Sequence, residues 1–121
     1  MVSTRLSLTK GVVALAGLTL LGTLALAGCN QTGRVVAVIP KGQAHVFWQA
    51  VHSGTVLAGK EFHITIAWNG PASEVESNKQ IEIVENFIHH HVDGIMLAPS
   101  ERKAMVGVID KATKEGIPVV I

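Results

Sequence analysis

From Arg34 to the last residue, short apolar runs alternate with longer amphipathic ones, and that alternation restricts the chain to few folds. The first run, Val35–Ile39 (VVAVI), is continuous and rich in β-branched residues, as a strand buried on both faces requires. Pro40, Lys41 and Gly42 end it. Residues 44–59 read as a helix, with Phe47, Val51, Thr55 and Ala58 at three- and four-residue spacing. Residues 62–68 (FHITIAW) read as a second strand, closed by the turn signal Asn69-Gly70-Pro71. Ser73 with Glu76 has the spacing of a capping box, and the helix it predicts runs to about His90. There Ile81, Val84, Phe87 and Ile88 share a side wide enough to cover a sheet. Residues 94–98 (GIMLA) are the third strand, and Ser100 is placed to cap a third helix carrying Ala104, Val108 and Ala112. Lys111 and Lys114 suit the negative end of that helix, Gly116 stops it, and residues 118–121 (PVVI) begin a fourth strand.

Strands separated by helices, in the order β-α-β-α-β-α-β, imply an α/β fold. The sheet is parallel, joined by right-handed crossovers and doubly wound. The chain ends inside its last strand, so it is read as a fragment of a larger domain.

Residues 1–28 carry a different pattern. Arg5 and Lys10 form a basic start, residues 11–27 are uncharged, and small residues close the segment, which is the layout of an export signal. A spanning helix needs about 20 apolar residues; this run is shorter and interrupted by Gly11, Gly17 and Gly22. The sole cysteine follows at once. Leu26-Ala27-Gly28-Cys29 matches the lipobox of bacterial lipoproteins at all four positions. Small residues at Ala27 and Gly28 admit a peptidase, and the thiol of Cys29 is the nucleophile that takes up the lipid. The expected organisation is therefore a lipoprotein signal peptide (1–28), a lipidated Cys29 with a short linker (29–33), and an α/β domain (34–121). Such a protein is exported and lipid-anchored to a membrane, facing the periplasm or cell exterior. Removing Arg5 and Lys10 turns the net charge from +1 to −1, which offers no basic patch for nucleic acid.

In open α/β sheets ligands sit beyond the carboxyl ends of the strands, here the loops 40–48, 68–72 and 99–102. The first loop brings His45, Phe47 and Trp48 to the mouth of the sheet. Sugars offer apolar C–H faces to aromatic rings and hydroxyls to polar side chains. The residues alone leave two readings open for Phe47 and Trp48, ligand platform or anchor of the first helix. The same loop lacks the G-x-G-x-x-G and Walker spacings, so no nucleotide or other cofactor is expected. His89-His90-His91 are adjacent and point in different directions, which makes a polar helix end a better reading than a metal site. His52 and His63 show no partner. Glu74, Glu76, Glu82 and Glu85 are expected on a solvated helix face, and no residue pairs a nucleophile with a base, so no enzymatic activity is expected.

The stretches VVAVIPKGQAHVFWQAVHSG, NGPASEVESNKQIEIVENFI, VDGIMLAPSE and ATKEGIPVVI together resemble the first half of the N-terminal lobe of periplasmic sugar-binding proteins of the ribose-binding type. The resemblance covers nearly all of residues 34–121. It implies two α/β lobes that close on a sugar and hand it to an ABC permease in the membrane. It also implies that Phe47 and Trp48 stack on the sugar, that His45 bonds a hydroxyl, and that Pro99 and Ser100 belong to the ligand loop after the third strand. That loop reads Ala98-Pro99-Ser100-Glu101 where the family often has Asn-Pro-x-Asp, so an amide ligand is missing and ribose itself is disfavoured. The family's main acidic ligand would follow Ile121, and the 121-residue chain alone is expected to lack useful sugar affinity. The alternatives weighed are a sensory binding protein presenting its ligand to a membrane receptor, and an exported α/β enzyme binding a nucleotide or flavin. A sugar-responsive repressor would begin with a DNA-binding motif, whereas this chain begins with an export signal.

Overall fold

The computed structural model describes residues 33–121. The signal segment, Cys29 and all of the linker but Gly33 lie outside the described residues. Among the described residues four strands and three helices alternate: β1 (Val35–Ile39), α1 (Val46–Phe62), β2 (Thr65–Trp68), α2 (Ser77–His89), β3 (Gly94–Leu97), α3 (Arg102–Lys114) and β4 (Val119–Val120). The sheet order is β2-β1-β3-β4, and every pair is parallel. The α/β expectation holds.

The register divides the strand residues between two faces. Val38 lies opposite Trp68 and Met96, and Met96 opposite Val120, so these four form one row across the sheet. Trp48 and Val51 of α1 share a cavity with this row. On the other face Ala37, Ile39, Ile95 and Leu97 meet Ile83, Val84 and Ile88 of α2 and Met105, Val108 and Ala112 of α3 in one buried cluster. Burial of this kind is worth about 25 cal/mol per Å² of apolar surface removed from water. Both helices bury a stripe at helical spacing, whereas the only residue of α1 that is fully buried is Gly59.

Four element ends differ notably from the sequence expectation. Helix α1 does not stop at Gly59 but continues to Phe62, and His63 closes it in the left-handed region at φ 55°. Gly59 is there for a close approach: a Cβ on it would lie 2.8 Å from Ile66 Cγ1 and 3.0 Å from the Ile64 carbonyl oxygen. As a result β2 starts at Thr65 rather than at residue 62. Helix α2 starts at Ser77, not directly after Ser73, because the Ser73–Glu76 pair closes a separate turn ahead of it. Glu76 Oε2 accepts from the Ser73 backbone N–H at 2.7 Å and from its hydroxyl at 3.1 Å. Helix α3 is capped by Glu101 rather than Ser100, its carboxylate accepting from the backbone N–H groups of Lys103 and Ala104.

Candidate ligand-binding site

Strand β1 sits between β2 and β3, and its two neighbours are reached by crossovers on opposite faces. The crevice beyond the carboxyl ends of β1 and β3 is therefore the topological switch point, where open α/β sheets take their ligands. Three loops meet there: 40–45 after β1, 69–76 after β2 and 98–101 after β3.

The first two loops are stitched together. The Gln43 backbone N–H donates to the Pro71 carbonyl at 3.0 Å, and the Gln43 side-chain amide to the Gly70 carbonyl. Gly70 and Gly42 allow the contact, since a Cβ on Gly70 would lie 2.7 Å from Pro40 Cγ and one on Gly42 3.0 Å from the Glu74 nitrogen. The loops after β1 and β3 are joined by Gln80 of α2. This fully buried side chain donates to the carbonyls of Pro40 and Ala98, at 2.8 Å each, and accepts from the Ser100 backbone N–H and hydroxyl, at 2.9 Å each.

His45 is the N-cap of α1, its Nδ1 accepting from the Phe47 N–H at 3.1 Å. In the neutral ring this leaves the proton on Nε2, so His45 offers the mouth of the sheet a donor. Phe47 is 57% exposed and meets Trp48 edge to face, with centroids 4.9 Å apart and planes at 79°. Exposure on that scale is not what an anchor of the first helix would show. Trp48 is half-buried, and its indole N–H donates to Glu74 Oε1 at 2.8 Å.

A cavity of about 240 Å³ opens beside this group, with Trp48, Val51, Trp68 and Met96 among its walls. Its lining is mostly apolar, so polar contacts to anything bound there have to come from the rim. Of the residues expected from sequence, Trp48 is part of the wall; His45 and Phe47 stand beside it on the first turn of α1. Pro99 and Ser100 are half-buried in the loop after β3, where Ala98 rather than either of them reaches the cavity. The Ser100 hydroxyl also lies 3.2 Å from that of Ser77.

Two further residues belong here. Trp68 ends β2 in register with Val38, and its indole stacks on His52 of α1, with centroids 4.5 Å apart and planes at 17°. His52 thus has the partner that sequence did not show. Glu74 is the second: it precedes α2 and faces Trp48, instead of lying on a solvated helix face. The signal for Trp68 was its place at the carboxyl end of a strand. For Glu74 no local pattern existed, since its partner lies 26 residues away. Along α2, Lys79 pairs with Glu82 at 2.8 Å, and this hydrogen bond and charge raise the exposed ammonium above its ordinary range. In the histidine run, His90 Nδ1 lies 2.8 Å from the Asn86 carbonyl, and His91 is left-handed at φ 50°.

Residues 36–121 match the periplasmic binding protein domain family. The chain belongs to that family. Among curated relatives it is similar to the D-ribose/D-allose-binding protein of Pseudomonas aeruginosa, 34% identical over 87 residues, which cover 70% of this chain and 27% of that one. Among solved structures it resembles an ABC transporter solute-binding protein from Agrobacterium vitis with bound D-fucose. The two are 42% identical with a TM-score of 0.68, and the match covers 72% of this chain and 30% of the other. A carbohydrate transporter solute-binding protein from Agrobacterium radiobacter in complex with D-arabinose matches at 30% identity and a TM-score of 0.70, covering 73% and 30%. This periplasmic binding protein domain therefore spans less than a third of the length of those relatives.

Proposed function

We propose that the chain belongs to the substrate-binding component of a bacterial ABC transporter, which captures a sugar or related small polar solute outside the cytoplasmic membrane. The observation that carries this reading is the pairing of Trp48 and Trp68 in one apolar cavity at the carboxyl ends of β1 and β2. An apolar wall with a few polar groups at its rim is the usual construction of a small-ligand site. Trp48 and Phe47 supply the surface for a sugar's C–H face, His45 supplies an N–H donor, and the Pro99–Ser100 loop closes the crevice on the β3 side. The relatives' sugars, D-ribose or D-allose, D-fucose and D-arabinose, are all small neutral polyhydroxylated molecules. Delivery to a permease follows from the same reading, as do export and anchoring through a lipid on Cys29, which lies outside the described residues.

The test is a titration of the full-length gene product with neutral aldoses and polyols, followed by melting temperature and tryptophan fluorescence. At least one member is expected to raise the melting temperature by several degrees, and Trp48→Ala to weaken its binding at least tenfold. If the panel is silent while a nucleotide or flavin binds, the chain is not a sugar-binding component. Metabolic labelling with an alkynyl fatty acid tests the anchor: label should enter the protein and be lost in Cys29→Ser.

A further inference from the structure

We propose that Glu74 is the positioning residue of Trp48, fixing the edge of the indole so that only its faces remain for a ligand. This rests on the sugar-binding reading for its purpose, but not for its geometry. The indole has a single polar atom, and that N–H is donated to Glu74 Oε1 at 2.8 Å. A carboxylate acceptor makes this a charge-assisted bond, stronger than one between neutral groups. With its N–H engaged, Trp48 has no hydrogen bond to give a ligand hydroxyl and can recognise only an apolar face laid against the ring.

The carboxylate can hold the ring because its own backbone is held. Gly42 brings the β1–α1 loop to within van der Waals reach of Glu74, where a Cβ would be 3.0 Å from the Glu74 nitrogen and 3.2 Å from its Cγ. The Gln43–Pro71 and Gln43–Gly70 bonds close the same two loops a few residues away. Glu76, the other nearby carboxylate, is occupied by Ser73. The T-shaped contact with Phe47 also restrains the ring, at 4.9 Å between centroids. The loop after β2 would then act on recognition without touching the ligand, by setting the tilt of a ring carried on α1.

The experiment is ligand-free. In a ¹⁵N-labelled full-length protein the indole N–H resonances of Trp48 and Trp68 are assigned with Trp48→Phe and Trp68→Phe. Glu74→Ala should move the Trp48 resonance upfield and speed its exchange with water several-fold, leaving that of Trp68 in place. Glu74→Gln, which keeps a carbonyl acceptor, should restore both properties. The proposal is overturned if the Trp48 resonance ignores Glu74→Ala, if the Trp68 resonance moves equally, or if Glu74→Gln behaves like Glu74→Ala. Because no sugar is present, silence of the sugar panel would remove the purpose of the positioning while leaving this result intact. Where the panel does respond, Glu74→Ala should weaken binding roughly three- to tenfold.

Discussion

Gln80 and Ser100 meet through three atoms: the buried Oε1 of Gln80 accepts from both the backbone N–H and the hydroxyl of Ser100, each at 2.9 Å. The amide nitrogen of the same side chain spans Pro40 and Ala98. One residue of α2 thus fixes the ends of β1 and β3, the two strands whose loops frame the crevice. Buried polar groups left without partners cost about 1–3 kcal/mol each. Gln80→Leu would orphan the Pro40 and Ala98 carbonyls together, and is expected to destabilise the domain by about 3 kcal/mol. In a domain of this size that lowers the melting temperature by more than about 10 °C.

Ser100 and Glu101 can be told apart by a double-mutant cycle. Glu101→Ala removes the cap of α3 and should cost about 1 kcal/mol in any background. Ser100→Ala should also destabilise, but its effect should shrink in a Gln80→Ala background, because the two share the hydrogen bonds. Urea melts of the two singles and the double decide it. Equal effects of Ser100→Ala in both backgrounds would mean that the Ser100 hydroxyl does not act through Gln80.

The glycines of the helices should respond with opposite signs. Gly54 in α1 and Gly107 in α3 have nothing within 4 Å of a built Cβ, so alanine there should stabilise by about 0.5–1 kcal/mol through helix propensity. Gly59 has Ile66 Cγ1 at 2.8 Å and the Ile64 oxygen at 3.0 Å, so Gly59→Ala should destabilise despite the same propensity gain. Thermal melts of the three variants check the ordering.

How much of this was legible in the sequence follows from the range of the interactions. The strands and helices were readable because each is written in a local period, and their burial follows directly: Val84 and Ile88 of the face named for α2 are in the buried core, and Ile81 and Phe87 pack against it. The ends were less readable. Gly59 looks like a stop until Ile66 is seen against it, and Ser100 looks like a cap until Gln80 is seen to hold it. The site divides in the same way. His45, Phe47 and Trp48 could be placed at the sheet's mouth because they follow a strand directly. Trp68, Glu74 and Gln80 act through partners 16 to 40 residues distant, and no local pattern encodes such a partner.

His45 joins the two parts, since the ring expected to meet a ligand is also the cap of α1. Its Nδ1 must stay unprotonated to accept from the Phe47 N–H, which fixes the neutral tautomer with hydrogen on Nε2. ¹⁵N spectra of the imidazole should therefore show Nε2 as the protonated nitrogen. His45→Asn keeps a good capping acceptor and should leave the melting temperature within a few degrees, whereas His45→Ala should cost about 1 kcal/mol. Both lose the Nε2–H donor. If that donor meets a ligand hydroxyl, both should weaken sugar binding by the full-length protein to a similar degree, although only one weakens the helix. Binding that instead tracks stability across the two variants would reduce His45 to its capping role.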